Sequence, residues 1–362
     1  MKGQLPTARA GDILQFLRVH PMTIAELCNA SGLARSTIRA RLSELEGAGF
    51  ISLTGAEQSS GGRPAGRYAI KSGADLLVLT AHAGRGTIHA AVHTVAGTLL
   101  EDQGPRPVGE DCEDVLAAVR AAWTDLARKT SPAGANVAAR VLLIDDHPRA
   151  RHQQTPGTIL ADRLTDGQPD GPRFTFAATR TSDALAIQAA AMAGNAGRNV
   201  LYVDRNTPES ASWISNGIAQ TGADGLAGTL LTSDEASRHA RGLDPDGPSE
   251  SGARNDGLRL GKALATCVAI LNPSLILIGS EESQATAEHL SGVQEAIYTL
   301  APPLAGRSLV VRAISNSPAA AMRAAHFLAS EAALDKENVD ELVRRALLRC
   351  ESPEVSATSQ TA

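Results

Sequence analysis

Hydrophobic residues recur every three or four positions in three short segments near the start of the chain. The first segment covers residues 11–20 and ends before Pro21. The second begins at Thr23, which has the spacing of a capping box with Glu26, and it ends at a turn around Gly32. In the third segment the apolar positions are Ile38, Leu42 and Leu45. The spacing predicts three amphipathic helices, of which the last two form a helix-turn-helix.

The third predicted helix carries a polar face opposite its apolar stripe. On a helical wheel, the side chains that point away from the stripe or flank its amino-terminal end are Arg35, Ser36, Thr37, Arg39 and Ser43. A helix that reads DNA presents such side chains to the major groove, where arginine pairs with guanine and hydroxyl groups contact bases or phosphates. We therefore predict that this face binds duplex DNA, whereas Arg41, beside the stripe, has a structural role. The alternative is a helical hairpin in an unrelated bundle, which the same two stripes would also fit.

Two short alternating segments follow the helices, at residues 50–54 and 67–70, with a glycine-rich stretch between them. This pattern predicts a β-hairpin, and three helices followed by a hairpin make a winged helix. Gly62 and Arg63 lie at the predicted tip. Arg63 could enter a narrow minor groove, whose negative potential attracts guanidinium. The alternative is a flexible turn with a solvated arginine.

Beyond the hairpin, and after a linker at residues 71–74, strand-like and helix-like segments alternate. Strands are predicted at residues 76–79, 87–93, 98–100, 137–144, 200–204, 275–279 and 308–313. Helices are predicted at residues 110–129, 183–193, 258–271, 285–300, 318–334 and 338–349. Residues 242–256 lack periodicity and are rich in Pro, Gly, Ser and Asp, so we expect a mobile loop there. The pattern predicts a winged helix-turn-helix over residues 1–71, an α/β domain over 75–350 and a disordered tail over 351–362.

Composition and charge agree with two domains of different kinds. With 362 residues, of which 43% are hydrophobic and 20% charged, the chain is long enough for two or three globular domains. Residues 1–71 contain nine Lys or Arg and five Asp or Glu, a net charge of +4; since the whole chain carries −5, the remainder carries −9. A basic module beside an acidic one is expected when the basic module meets phosphates.

The four cysteines lie far apart, at Cys28, Cys112, Cys267 and Cys350, with no CxxC pair. This spacing argues against a zinc cluster and a disulfide framework and favours reduced thiols in the cytoplasm. The first residues contain no apolar run of signal-peptide length, and the sequence has no stretch of about 18 apolar residues that could span a membrane. We therefore expect a cytoplasmic protein that binds no membrane.

Six features, taken in chain order, carry a family resemblance: the helix-turn-helix, SSGGRP in the wing, AGTLL, SDAL, GADGLAG and LGKALATCVAILNPSLILIGS. Together they resemble the ROK family (repressor, open reading frame, kinase) over nearly the whole chain. The resemblance implies an α/β fold in which an N-terminal winged helix-turn-helix is followed by a two-lobed actin/hexokinase-like (ROK) domain. It also implies a homodimer or homotetramer that binds double-stranded operator DNA and releases it when a small sugar-like effector binds the second domain.

The stretches that would support phosphoryl transfer depart from the family's pattern. The family's first phosphate loop has the form D-x-G-x-T, whereas this chain has His82, Gly84 and Gly86 in that register, so the acid and the hydroxyl are missing. Without them magnesium and phosphate lose much of their electrostatic support. The family's NDAN stretch survives only as SDAL, in which Asp183 is either a relic of the catalytic base or, as we favour, the N-cap of a helix.

The family's sugar and zinc ligands are missing as well. Its A-G-E-x-G-H run supplies a glutamate for sugar hydroxyls and a histidine for zinc, and here Thr229 and Thr232 occupy those positions. No cysteine lies between Cys112 and Cys267, where the family's zinc-binding cysteines would stand. A glycine pair after a late strand is altered at Ser280, which two glutamates follow. We therefore predict no zinc, no other cofactor and no catalytic residue.

The functional hypotheses differ in what the larger domain does. The first is a transcriptional regulator, a repressor, whose ROK-type domain has lost catalysis and serves oligomerisation and effector sensing. The second is a sugar kinase that retains activity. The absence of the acid, the threonine, the glutamate and the histidine argues against this hypothesis. The third is a regulator that senses a ligand in a remodelled cleft lined by other residues.

Overall fold

Three sheets with helices around them form the molecule, and their arrangement confirms the predicted α/β class. The computed structural model describes residues 9–54, 66–71, 76–84, 86–109, 111–130, 136–145, 175–195, 197–205, 211–222, 227, 250–280 and 284–350. One sheet has two strands and the other two have five strands each. Within these residues, no helix combines the length and apolar character needed to cross a membrane.

The amino-terminal segment folds into three helices and a hairpin, as predicted. They are α1 (Ala10–Val19), α2 (Ile24–Ser31), α3 (Arg35–Gly47), β1 (Ile51–Thr54) and β2 (Arg67–Ile70), with β1 and β2 antiparallel. The apolar stripes of all three helices are buried in one core, which includes Ile13, Leu14, Leu27, Ile38, Leu42 and Leu45. The helical spacing of the sequence therefore marks the core-facing positions correctly.

The first lobe of the larger domain is built on a five-stranded sheet of order β5-β4-β3-β6-β7. Its elements are β3 (Leu76–Gly84), β4 (Thr87–Thr94), β5 (Leu99–Pro107), α4 (Cys112–Thr130), β6 (Asn136–Ile144), β7 (Thr175–Arg180) and α5 (Thr181–Met192). Strands β6 and β7 run parallel to β3, and the β3–β4–β5 meander is antiparallel. Because β3, β6 and β7 are parallel, their carboxyl ends meet at one edge of the sheet.

The second lobe has a sheet of order β10-β9-β8-β11-β12. Its elements are β8 (Val200–Asp204), β9 (Ala211–Ser215), β10 (Ile218–Ala219), α6 (Glu250–Leu271), β11 (Leu275–Ser280), α7 (Gln284–Leu300), α8 (Pro303–Gly306) and β12 (Val310–Ser315). Helices α6 and α7 pack backbone to backbone through glycines, because a Cβ at Gly257 would lie 2.0 Å from the carbonyl oxygen of His289. Two five-stranded mixed sheets, one in each lobe, agree with the predicted two-lobed architecture.

The predicted loop at residues 242–256 is wrong over its last seven residues, which begin α6. Ala253 is buried, and Arg254 forms an ion pair with Glu295 of α7, so packing against α7 holds a segment whose composition favours a loop. The sequence also gave no signal for β7, β9 and β10, which are short or irregular in their alternation. Residues 242–249, residues 72–74 of the predicted linker and the tail at 351–362 lie outside the described part of the chain.

The last two helices join the two ends of the chain. Helix α9 (Pro318–Ala333) packs against β3 and β6, and α10 (Lys336–Cys350) packs against α1 and α3. The backbone N–H of Gly11 donates to Asp340 Oδ1 at 2.8 Å, and Gln15 Nε2 donates to the carbonyl oxygen of Leu334 at 2.8 Å. A Cβ at Gly11 would lie 2.2 Å from the carbonyl oxygen of Lys336, so this contact requires glycine. The winged helix therefore shares its core with the carboxyl-terminal helix.

Candidate functional site

The two ends of α2 are stabilised by the residues from which the sequence predicts them, Thr23 and Glu26 at the start and Gly32 at the end. Thr23 Oγ1 accepts the backbone N–H of Glu26 at 3.2 Å, and the backbone N–H of Thr23 donates to Glu26 Oε2 at 2.7 Å, which completes a capping box. These bonds, led by the Thr23 N–H, hold the pKa of the Glu26 carboxyl below its ordinary value. Gly32 ends α2 with a left-handed φ of 71°, a conformation that glycine adopts without steric cost. The angle between the two helices is therefore set by local chemistry.

The polar face of α3 is presented to solvent. Arg35, Ser36, Arg39 and Ser43 are exposed, and Thr37 is half-buried. Within the described residues Arg35 and Arg39 make no hydrogen bond or ion pair, so both guanidinium groups remain available for a ligand. These are the side chains that the helical wheel assigned to DNA, and the contact with DNA itself stays a prediction.

Arg41 behaves differently from its two neighbours on α3. Its Nη1 lies 2.5 and 2.8 Å from the two carboxylate oxygens of Glu44, one turn along the same helix. That pairing raises the pKa of Arg41, and the side chain is half-buried. The structural role predicted for Arg41 is consistent with this geometry.

The base of the wing is tied to the start of α2. Arg67 Nη1 donates to the carbonyl oxygen of Pro21 at 2.8 Å, and its Nη2 lies 3.1 Å from Glu26 Oε1. Met22 and Tyr68 exchange backbone hydrogen bonds of 3.0 and 2.8 Å. The sequence analysis assigned no role to Arg67, which holds the hairpin beside the helix-turn-helix. The predicted tip residues Gly62 and Arg63 lie outside the described part of the chain.

In the first lobe, the edge where β3 and β6 end carries a histidine and a carboxylate in contact. His82 Nε2 lies 2.8 Å from Asp145 Oδ1, and Thr181 Oγ1 donates to the same oxygen at 2.9 Å. A Cβ at Gly84 would lie 2.0 Å from Asp145 Oδ2, so the carboxylate covers the glycine. The resemblance places a phosphate at this turn, and a negative carboxylate there would repel it. Sequence analysis missed Asp145, although it directly follows β6.

Asp183 is held by an ion pair, and its interpretation as an N-cap is wrong. Helix α5 begins at Thr181 with Arg180 as its N-cap, so Asp183 is the third helical residue. The residue is 3% exposed. Arg180 binds it bidentately, from Nε to Oδ2 and from Nη2 to Oδ1, both at 2.8 Å. Both carboxylate oxygens of Asp183 therefore accept a hydrogen bond from Arg180.

The facing edge of the second lobe is also filled by the chain's own side chains. A Cβ at Gly279 would lie 2.1 Å from the hydroxyl of buried Tyr202, so the tyrosine occupies the space that this glycine leaves. Asn316 Nδ2 donates to Asp204 Oδ2 at 2.9 Å. Thr229 and Thr232 lie outside the described residues. Among the residues that the structure does describe, no group of three or more His, Cys, Asp or Glu side chains is placed to hold a metal ion.

A separate cavity of about 600 Å³ lies between the β4–β5 hairpin, α9 and the side of α5. Its apolar lining consists of Ala91, Val95, Leu99, Ala319, Met322 and Phe327. Its polar lining includes His89, His93, Asp102, Arg323, His326 and Ser330. The sequence analysis did not anticipate this cavity, because its walls come from segments more than 200 residues apart.

Two histidines meet on the floor of the cavity. The ring centroids of His93 and His326 are 4.8 Å apart, and His93 Nδ1 is buried without a hydrogen-bond partner among the described residues. Burial, followed by the neighbouring His326, lowers the pKa of His93 to about 4. Burial also lowers the pKa of His326. Both rings are therefore neutral at pH 7.

This pair makes stability depend on pH. The folded-state pKa of His93 lies below 6.5, so the unfolded chain binds the proton more readily than the folded chain does. With respect to this group, the folded protein is therefore most stable above pH 6.5 and loses stability as the pH falls toward about 4. We expect the wild type to lose about 1 kcal/mol more than His93→Asn between pH 7 and pH 5, since solvent reaches part of the ring and reduces the effect. Urea denaturation of both proteins at the two pH values measures the difference. Equal losses would show that His93 is not the titrating group.

The comparisons with known proteins agree with this architecture. Residues 6–54 match the IclR helix-turn-helix domain. The crystal structure of a ROK family transcriptional regulator, a homolog of the E. coli MLC protein, superposes with a TM-score of 0.69 at 18% identity, covering 92% of this chain and 98% of that one. A ROK hexokinase from Thermus thermophilus gives a TM-score of 0.50 at 16% identity, covering 70% and 97%. No curated protein sequence matches the chain. The predicted fold, a helix-turn-helix domain followed by a ROK sugar-kinase-like domain, is confirmed.

Proposed function

We propose that the protein is a transcriptional regulator that binds double-stranded operator DNA as a homodimer or homotetramer and acts as a repressor. The observation that carries the proposal is the exposed polar face of α3, where Arg35 and Arg39 have no partner among the described residues. The match to a helix-turn-helix domain and the likeness to a ROK regulator support it. The net charge of +4 over residues 1–71 favours the same partner.

The larger domain is, in this proposal, a kinase fold without catalysis that serves oligomerisation and effector sensing. Phosphoryl transfer needs a site that admits phosphates and a free carboxylate that accepts the hydroxyl proton. Here Asp145 covers Gly84, and Arg180 engages Asp183 through two hydrogen bonds. The alternative of a working sugar kinase would require both contacts to open. The cytoplasmic location expected from the cysteines belongs to the same proposal.

Enzymatic and elemental assays test the loss of catalysis. We expect no ATP consumption with glucose, N-acetylglucosamine, N-acetylmannosamine or xylose, and no stoichiometric zinc. The physical reason is that the acid, the phosphate-binding hydroxyl, the sugar-binding glutamate and the zinc-binding histidine are all replaced. A coupled ATP assay and elemental analysis of the purified protein measure both quantities. Turnover that disappears in Asp183→Ala, or about one zinc per chain, would show that the site is divergent and functional.

The wing supplies a second prediction about DNA. If Arg63 enters a narrow minor groove, Arg63→Ala should weaken binding chiefly to operators with A·T-rich flanks, because such flanks have the most negative minor groove. Fluorescence anisotropy with A·T-rich and G·C-rich flanks around one core sequence measures the difference. An equal loss on both flanks would make Arg63 a general phosphate contact.

Mapping the genomic sites that the protein occupies tests the proposed function directly. We expect a limited set of sites upstream of genes, sharing an inverted repeat, because a two-fold symmetric dimer reads two half-sites. Deleting the gene for the protein should raise transcription next to these sites if it represses. Occupancy no different from that of a non-binding control would refute the proposal.

A further inference from the structure

The cavity between β4, β5 and α9 is an open groove whose volume lies in the range of small-molecule sites. Pockets that hold small ligands have volumes of roughly 300–1,000 Å³, with mainly apolar walls and a few placed polar groups. This one, at about 600 Å³, combines the side chains of Val95, Leu99 and Phe327 with a histidine pair and an arginine. It is built from β4, β5, α5 and α9, whereas the remnant of the kinase site lies at the ends of β3, β6 and α5.

We infer that this cavity is the effector site and that it takes a small organic carboxylate with an apolar or aromatic body. The effector role rests on the proposed function, whereas the binding of the carboxylate does not.

The charges favour a single negative charge on the ligand. The carboxylate of Asp102 is already engaged, since Oδ1 lies 2.7 Å from His89 Nε2 and 2.6 Å from the backbone nitrogen of Gly104. Arg323 is exposed at the mouth and has no ion pair among the described residues. Guanidinium binds carboxylate bidentately, so one arginine matches one carboxylate. A phosphate dianion would bring a second charge into a mainly apolar cavity with no second permanent cation to meet it.

The histidine pair offers a ligand one ring nitrogen, His326 Nδ1, because His93 Nδ1 is enclosed by the protein. The carbonyl oxygen of Thr94 can only accept a hydrogen bond, so His326 Nε2, 3.2 Å away, carries the proton, and its Nδ1 is an acceptor in the neutral ring. The hydroxyl of Ser330 donates to the carbonyl oxygen of Val95 at 3.1 Å. At His93 the unpartnered atom is Nδ1. An acceptor nitrogen gives no hydrogen bond to a carboxylate, so the carboxylate's partner in this cavity is Arg323. The apolar walls disfavour a sugar, whose many hydroxyls would each need a partner.

The cavity wall continues directly into the contact with the DNA-binding segment. Ser330 lines the cavity, and the next residue of α9, Glu331, forms an ion pair with Arg18 of α1. Leu334, at the end of α9, accepts the hydrogen bond from Gln15 of α1. A ligand that shifts α9 therefore acts on α1 without an intermediate element. By linkage, DNA and ligand should alter each other's affinity by the same factor.

Calorimetry on the full-length protein without DNA tests the binding step. The probes are benzoate, phenylacetate and 4-methylpentanoate, with phenylacetamide as the uncharged match to phenylacetate. We expect the carboxylates to bind at least about tenfold more tightly than the amide. Arg323→Gln should remove this preference, whereas Arg312→Gln, which changes an exposed arginine of β12 outside the cavity, should keep it. Ala319→Trp, which changes an exposed position at the mouth, should block all of the probes.

Fluorescence anisotropy on a bound operator tests the effector role. We expect a saturating carboxylate to change DNA affinity by several-fold in the wild type and by no measurable amount in Ala319→Trp. Carboxylates that bind no better than the amide, or a preference unchanged in Arg323→Gln, would overturn the assignment of the ligand. Carboxylate binding that leaves DNA affinity unchanged would overturn the effector role. A protein that binds the probes but no DNA would instead refute the proposed function.

Discussion

Replacing Arg35 and Arg39 together by alanine should weaken binding to a specific operator by roughly 2–6 kcal/mol, at least about thirty-fold, because each bidentate contact with guanine is worth about 1–3 kcal/mol. Both guanidinium groups are exposed on α3 and make no ion pair within the described residues, so their removal leaves the packing of the helix unchanged. Fluorescence anisotropy on an operator chosen by selection measures the loss. Single replacements should each give part of it.

Arg41→Ala is the matched control for this pair. It removes one positive charge from the same helix, as each single replacement does, yet the side chain is already engaged by Glu44. We therefore expect only the small loss of a general electrostatic contribution. If Arg41→Ala weakens binding as much as the double replacement, the arginines act through net charge and α3 does not read bases. If neither protein loses affinity, the recognition face has been placed on the wrong side of α3.

Val339→Asp should destabilise the winged helix by about 3–5 kcal/mol, because it places an unpaired charge in a core. Val339 is 0% exposed and belongs to the cluster that contains Ile13, Leu14 and Leu42. The substitution lies far from α3 in sequence, and it should nonetheless abolish DNA binding at physiological temperature. Hydrogen exchange at the amides of α1, α2 and α3 measures the local loss of stability.

Leu348→Asp provides the control on the same helix. Its side chain is 51% exposed, so a charge there remains solvated and should change stability by less than about 0.5 kcal/mol. Protection of the α1–α3 amides that is unchanged in Val339→Asp would mean that the winged helix is stable without α10. In that case the core that α10 shares with α1 and α3 would contribute little to the stability of the winged helix.

Features governed by near neighbours in sequence were predictable. The capping box of Thr23 and Glu26, the turn at Gly32 and the buried stripe of α3 all depend on residues within one or two turns of each other, and the structure confirms them. The ion pair of Asp183 was also predictable from the sequence, since its partner Arg180 lies three residues earlier. The N-cap interpretation relied instead on the general preference for Asp at helix N-caps.

Features governed by distant contacts were not predictable in this way. Near the start of α6, Arg254 pairs with Glu295 of α7, 41 positions away, and the hydrogen bond from Gly11 to Asp340 joins residues 329 positions apart. The cavity exists only because β4 and α9 are neighbours in space. No periodicity in the sequence specifies such contacts, because each segment presents an ordinary pattern by itself. The sequence therefore predicted the exposed polar face of α3 and missed both the cavity and the contacts of α9 with α1.

Selection of duplexes from a random library is the measurement that tests the central claim most directly. The full-length wild-type protein should enrich an inverted repeat, with half-site centres separated by a whole number of helical turns, about 10–10.5 base pairs each. The Arg35→Ala, Arg39→Ala double variant, carried through the same rounds, should enrich no shared sequence. A wild-type protein that enriches nothing, or a double variant that enriches the same repeat equally well, would contradict the claim that α3 reads DNA.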